Sequence, residues 1–157
     1  EIAESMGMKI QVLARKDSKS LIHQEWPRFE YASFFENSDI ITLHCPLTDS
    51  NKHLINNESL SIMKKTSYLI NTSRGDLVDE SALAIALNEK NIAGAAVDVL
   101  SEEPPPSDHC LINESIPNLL VSPHIAWISV ESRKRLINGV SSNIKAFLNR
   151  SPINQVS

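Results

Sequence analysis

Cysteines, long apolar runs and basic clusters are all scarce in this sequence, and each scarcity excludes something. Only two cysteines occur, Cys45 and Cys110, which is too few for a disulfide framework. No apolar run is long enough to span a bilayer and no signal-peptide pattern opens the chain, so a cytoplasmic protein without membrane contact is expected. The net charge is −4, and no basic cluster is denser than Arg133-Lys134-Arg135, which argues against a nucleic-acid or polyanion surface. His23, His44, His53 and His109 form no pair at metal-ligand spacing, so no metal site is expected. No internal repeat, low-complexity tract or domain linker is visible. What is present is a chain of 157 residues, 41% hydrophobic and 22% charged, enough for one core held without disulfides or metals. Small-molecule chemistry is the expectation.

Residues 1–7 read as the end of an amphipathic helix closed by Gly7 and lacking a start, so an upstream segment is expected. Residues 9–13 have strand character, and polar residues close the run. Turn and helical signals continue through Trp26-Pro27, a short helix is expected over Tyr31 to Asn37, and a strand over Asp39 to His44 is ended by Pro46. Asn57 is expected to cap a helix over Glu58 to Met63, with a strand following over Ser67 to Asn71. Alanine and leucine recur at helical spacing from Asp79 to Asn88, and Gly94 to Val99 and Asn118 to Val121 read as two more strands around Pro104-Pro105-Pro106. A long helix is expected over Val130 to Leu148 and none from Ser151 onward. Nearly continuous apolar strands alternating with helices predict a parallel sheet covered on both faces.

Three ionisable residues stand out because each follows one of these strands. The run from Tyr68 breaks into Asn71-Thr72-Ser73 and then delivers Arg74, Glu103 follows Asp98-Val99-Leu100, and His124 follows Ser122-Pro123. In an open α/β sheet the ligand crevice lies at the carboxyl ends of the strands. A guanidinium there grips a carboxylate bidentately, a histidine exchanges a proton near neutral pH, and a carboxylate beside the ring fixes its tautomer and favours imidazolium. Reduction of a 2-keto acid needs those three functions together with a hydride from a cofactor. Taken singly, Arg74 also reads as a turn cap, Glu103 as a solvated loop acid and His124 as a satisfied histidine beside a proline.

The segments Asn71-Thr72-Ser73-Arg74-Gly75, Asp98-Val99-Leu100 through Glu103-Pro104, Pro123-His124-Ile125-Ala126 and His44-Cys45-Pro46-Leu47-Thr48 resemble, in chain order, the signatures of the D-isomer-specific 2-hydroxyacid dehydrogenases. The resemblance covers nearly the whole chain. It implies that Arg74 binds the substrate carboxylate, that His124 is the general acid/base and that Glu103 pairs with His124. It also implies that Cys45, Pro46 and Thr48 line the dinucleotide, that Thr72 and Ser73 lie by the nicotinamide and that Asp98 bonds its carboxamide. Cys45 reads equally as a small core hydrophobe. The wording through Trp127 is similar to the glycerate dehydrogenase or hydroxypyruvate reductase branch, where the tryptophan lies near the substrate pocket, and an interdomain or subunit contact is the other reading of Trp127. An acid at position 103 speaks against the formate dehydrogenase branch, which has an amide there.

The sequence departs from that family in two places. No G-x-G-x-x-G phosphate loop is present, and its position would fall just before Glu1. The expected fold is therefore an incomplete Rossmann-like, doubly wound parallel sheet lacking its first strand and Gly-rich loop. Residues 1–150 would form a partial dinucleotide-binding domain, and residues 151–157 a tail returning to an absent substrate domain. With strand order 3-2-1-4-5-6, residues 9–13 and 39–44 would take the second and third places. The strands after residue 67 would form a separate piece carrying all three ionisable residues. The second departure is at the end of the strand over 9–13, where NAD enzymes place an acid and this chain has Ala14-Arg15-Lys16. NAD or NADP is the implied cofactor, and Arg15 favours NADP. The full-length parent is expected to act on a small 2-keto or 2-hydroxy acid such as hydroxypyruvate, glycerate, glyoxylate or glycolate, as a homodimer. A non-catalytic dinucleotide-binding regulator and an inactive truncated relic are the competing expectations.

Overall fold

In the computed structural model the described residues are 2–13, 26–112 and 116–156. They form two compact units, Glu1–Pro123 and His124–Ser157. The first opens with α1 (Ile2–Ser5), whose chain leaves the helix through Gly7 at a φ of 79°, the left-handed stop that glycine adopts freely. Two short parallel strands follow, β1 (Val12–Leu13) and β2 (Arg28–Phe29). Between this pair and the rest of the unit stands α2 (Tyr31–Asn37), and Gln11 reaches it by donating from Nε2 to the Phe34 carbonyl at 3.2 Å and to Ser38 Oγ at 2.6 Å. Trp26 donates its indole N–H to Glu4 Oε1 at 2.9 Å, joining the α1 segment to the approach to β2.

The main sheet has four parallel strands in the order β3 (Ile40–Leu43), β4 (Tyr68–Asn71), β5 (Gly94–Val97) and β6 (Leu119–Val121). Helix α3 (Asn57–Ile62) connects β3 to β4 and α4 (Glu80–Asn88) connects β4 to β5, the crossover that parallel neighbours require. In register across the sheet, Ile41 meets Leu69, Leu69 meets Ala95, Leu43 meets Asn71 and Asn71 meets Val97. These residues are buried on one face, where Phe35 of α2, Leu60 of α3 and Leu83 and Leu87 of α4 join the same cluster. The close fit of β5 between its neighbours has a visible cause at Gly94, where a Cβ would stand 2.9 Å from the Asn118 carbonyl oxygen. The second unit holds one long helix, α5 (Val130–Leu148), started by Ser129, whose side chain accepts from the Ser132 N–H.

Three expectations are corrected. The strand at residues 40–43 pairs with β4, while the strand that pairs with β1 is Arg28–Phe29, a two-residue strand behind Pro27 that no alternation could announce. In the 3-2-1-4-5-6 scheme β1 and β2 thus take places 2 and 3, β3 to β5 take places 4 to 6, and β6 extends the sheet by one strand. Among the described residues the two sheets share no ladder. The opposite face of the main sheet is covered only in part by the described residues of the first unit: Ile70 and Ala96 are half-buried, whereas Ile40, Tyr68 and Leu120 are 49%, 51% and 65% exposed. Finally, the cap of α3 is Asn56, one residue before the expected Asn57. Its side chain accepts from the Ser59 N–H at 3.1 Å while Ser59 Oγ accepts from the Asn56 N–H at 2.8 Å, a reciprocal capping box.

Asn56→Ala should therefore cost about 1 kcal/mol of stability, whereas Asn57→Ala, within the first helical turn, should be nearly neutral. Urea midpoints of the two variants check the assignment; equal losses would contradict it.

Candidate functional site

The turn after β4 is built by Asn71. Its backbone belongs to the strand, the residue is 1% exposed, and its two amide atoms serve the second and third residues after it. Oδ1 accepts from the Ser73 N–H at 3.0 Å and Nδ2 donates to the Arg74 carbonyl at 2.8 Å, so the chain turns once and presents Arg74 at the strand's carboxyl end. Arg74 is exposed, and its Nη1 donates to the Ser73 carbonyl at 2.7 Å, which steadies the plane of the guanidinium. Thr72 is exposed beside it.

The loop after β3 is drawn to this turn. Ser73 Oγ donates to the Cys45 carbonyl at 2.6 Å. Asn51 shapes the loop from within, accepting from the Thr48 N–H at 2.7 Å and donating to the Pro46 carbonyl at 2.8 Å, and Thr48 Oγ1 lies 3.0 Å from Ser50 Oγ. Beyond it, His53 and Ile55 donate to the carbonyls of Asp76 and Leu77, and Asp79 donates back to Ile55. Cys45 is half-buried, with Asn51 Nδ2 near its Sγ at 3.7 Å.

The loop after β5 carries the acids. Asp98 is 5% exposed, its N–H continues the ladder to the Asn71 carbonyl at 2.9 Å, and the Ser122 hydroxyl donates to its Oδ1. Two residues on, Leu100 and Ser101 run directly against Gly75. A Cβ at position 75 would stand 2.0 Å from the Leu100 carbonyl carbon and 2.2 Å from the Ser101 nitrogen, so only glycine permits the two turns to touch. Glu103 closes its own turn, with Oε1 accepting from the Leu100 N–H at 2.9 Å, and its side chain is exposed. On the other side Glu80, the first residue of α4, accepts the Ser101 N–H at 2.8 Å on Oε1 and the Ser101 hydroxyl on Oε2, where His109 Nε2 also lies at 3.1 Å. The His109 and Glu80 side chains are 8% and 11% exposed. Burial pushes the Tyr31 phenol above its ordinary range, with a hydrogen bond to Ser59 acting against the rise, but Tyr31 belongs to α2.

His124 opens the second unit three residues after β6 ends at Val121. Its φ of 55° lies in the left-handed region, a conformation that costs a side-chain-bearing residue about 1–2 kcal/mol. Trp127 holds that turn by donating from Nε1 to the His124 carbonyl at 3.1 Å, and the Ile128 N–H donates to Ile125 at 3.0 Å. Trp127 is 49% exposed. Arg15, with Ala14 and Lys16, lies outside the described residues.

Arg74 and Glu103 thus follow the neighbouring strands β4 and β5 of the first unit, and Cys45, Pro46 and Thr48 follow β3; His124, in the second unit, comes three residues after β6 in the chain. Within the first unit the Gly75 contact brings the turns of Arg74 and Glu103 together. Sequence reasoning did not single out Asn71, Asn51, Glu80, His109 and Ser122 for the site, although each shapes a turn beside it. Asn71 and Asn51 carried the signal of an amide beside a turn; Glu80 and His109, 29 residues apart, carried none.

Residues 1–126 match the family D-isomer specific 2-hydroxyacid dehydrogenase, NAD binding domain. The chain belongs to that family. It is 40% identical over 154 residues to a glycerate dehydrogenase of Methylorubrum extorquens, covering 98% of this chain and 47% of that protein. It is 36% identical over 157 residues to a hydroxypyruvate reductase of Blautia hydrogenotrophica, covering 100% of this chain and 48% of that protein. Among solved structures it is similar to D-lactate dehydrogenase with NAD+ from Lactobacillus jensenii, with a TM-score of 0.86, 28% identity, and coverage of 99% of this chain and 50% of that one. The chain therefore spans about half the length of the relatives it matches. Family members are NAD-dependent oxidoreductases of small 2-hydroxy acids. No helix among the described residues is long and apolar enough to cross a membrane.

The close approach at Gly75 has a direct test. Gly75→Ala should lower stability by more than about 2 kcal/mol, because backbone and not a flexible side chain must move. Gly139→Ala, in α5 with nothing within 4 Å of its added Cβ, should instead raise stability by about 0.5–1 kcal/mol. Denaturant midpoints of both variants check the pair, and a mild effect at position 75 would contradict the described contact.

Proposed function

We propose that this chain is the dinucleotide-binding half of a dehydrogenase that exchanges hydride between NAD(P)H and a small 2-keto acid of the hydroxypyruvate or glyoxylate type. The observation that carries the reading is that Arg74 and Glu103 follow the carboxyl ends of β4 and β5, where parallel sheets present ligand-contacting groups, with His124 following β6 in the chain. Arg74 binds the substrate carboxylate through the outer edge of its guanidinium, which its bond to Ser73 holds in one plane. His124 delivers a proton to the carbonyl oxygen in reduction and takes it back in oxidation, and Glu103 holds the imidazole in the productive tautomer and balances its charge. Trp127 borders the substrate pocket while fixing the backbone of His124.

The residues present fit the nicotinamide half of the cofactor. Thr48, Thr72 and Ser73 bring hydroxyls to the ends of β3 and β4, and Asp98 brings a nearly buried carboxylate, oriented by Ser122, to the end of β5. Cys45 and Pro46 form the wall that Ser73 ties in. When bound, the cofactor supplies or accepts the hydride. The pyrophosphate cradle is not built by these residues, since the sequence has no G-x-G-x-x-G. Arg15 reads the 2′-phosphate of NADP in preference to the ribose hydroxyls of NAD. We read residues 1–150 as the dinucleotide-binding portion and residues 151–157 as a tail directed to the substrate-binding portion, in a cytoplasmic homodimer of the full-length protein.

In the full-length protein, Arg74→Lys keeps the charge and loses the fork, so KM for keto acids should rise about tenfold or more with cofactor affinity nearly unchanged. His124→Asn should lower kcat by about 10²–10⁴. Steady-state kinetics on hydroxypyruvate and glyoxylate decide both, and wild-type constants in either variant would remove that residue from its role. Arg15→Asp should weaken NADPH while leaving NADH equal or better, measured by titration of each; parallel responses would remove Arg15 from the phosphate.

A further inference from the structure

The turn bearing Glu103 is gripped from outside by a pair of residues that the mechanism does not use. Glu80 points its nearly buried carboxylate away from α4 and into the loop after β5, where both oxygens are engaged by one residue, Ser101, two positions before Glu103. A carboxylate bound through the N–H and the O–H of a single residue fixes that residue's position as well as its orientation. His109, on the far limb of the same loop, closes on Glu80 Oε2 at 3.1 Å and is more deeply buried than Glu80 itself. A second bond holds the imidazole in place, because its Nδ1 accepts from the Leu111 N–H at 3.2 Å and Leu111 is anchored in the core at 2% exposure. The chain from Leu111 to His109 to Glu80 to Ser101 therefore runs from the core to the base of the Glu103 turn. On the opposite side the turn leans on Gly75, which has no side chain and offers contact without a hydrogen bond.

We propose that Glu80, supported by His109, is a positioning residue that sets the placement of Glu103 by clamping Ser101. The inference rests on the reading of Glu103 as the partner of His124. A catalytic carboxylate displaced by about 1 Å costs a large factor in rate even when binding is intact. Loss of the clamp should then appear chiefly in kcat, since the turn of Arg74 keeps both of its hydrogen bonds from Asn71.

The test compares Glu80→Ala, Glu80→Gln and Ser101→Ala in the full-length protein, with Glu80→Ala repeated in a Glu103→Gln background and thermal melts run on every variant. Glu80→Ala is expected to lower kcat roughly tenfold with KM and cofactor Kd within about twofold. Ser101→Ala, which removes only the hydroxyl bond, is expected to lower it roughly threefold. Glu80→Gln is expected to recover only part of the loss, because its carbonyl oxygen still accepts the Ser101 N–H while its NH2 group meets the His109 Nε2–H, donor against donor. In the Glu103→Gln background Glu80→Ala should add no further loss, since residues acting through one group are not additive. An unchanged kcat in Glu80→Ala, a loss shared with KM and cofactor Kd, or a loss that multiplies with that of Glu103→Gln would each overturn the proposal. If Glu80→Ala does not fold, Ser101→Ala alone and in the Glu103→Gln background decides by the same criteria. Wild-type kcat in Glu103→Gln by itself would instead overturn the role of Glu103, a result distinct from an impaired Glu103→Gln with a normal Glu80→Ala.

Discussion

Backbone against backbone at Gly75 and Leu100-Ser101 is the contact on which the rest of the site depends. Two parallel strands set their carboxyl ends side by side, but the turns that leave them need not touch. Here they do, because position 75 has no Cβ to hold them apart. The contact joins the turn that Asn71 builds around Arg74 to the turn that Glu103 closes on Leu100. Glu80 then fastens the second turn to the helix that the first turn leads into, so the start of the link from β4 to β5 meets the loop after β5 at two points.

The division of labour among elements follows from the same arrangement. The buried sheet face and helices α2 to α4 form a core in which Ile41, Leu69, Ala95 and Val97 share one surface. Two of the buried polar residues stand where a turn begins: Asn71 ends β4 and Asp98 follows β5, each with its hydrogen bonds directed along the chain or to a neighbouring loop. Buried polar groups of this kind are stable because they are satisfied. They are useful because the bonds that satisfy them fix the direction of the following residues.

How much of this was legible in the sequence depended on range. Helix α2 runs over Tyr31–Asn37 and α5 over Val130–Leu148, the same spans that periodicity and flanking residues mark out. Arg74, Glu103 and His124 were visible because each follows an apolar run and interrupts it with charge. Strand β2 was not, since two residues, Arg28 and Phe29, carry no alternation, and missing it shifted every later strand by one place. The cap at Asn56 was one residue from the asparagine that reads equally well, and only the reciprocal bond with Ser59 separates the two. Glycine at 75 looked like ordinary punctuation after Arg74. Its necessity comes from residues 25 positions downstream, and no local pattern encodes that approach.

The boundary between Pro123 and His124 leaves one of the chain's two tryptophans in each compact unit, Trp26 in the first and Trp127 in the second. Each indole N–H has a partner inside its own unit, Glu4 for the one and the His124 carbonyl for the other. Intrinsic fluorescence is therefore already divided between the halves of the molecule. With either indole replaced by phenylalanine, the remaining emission follows the unfolding of a single unit, and the separation of the two curves measures how strongly the C-terminal unit is coupled to the sheet that precedes it.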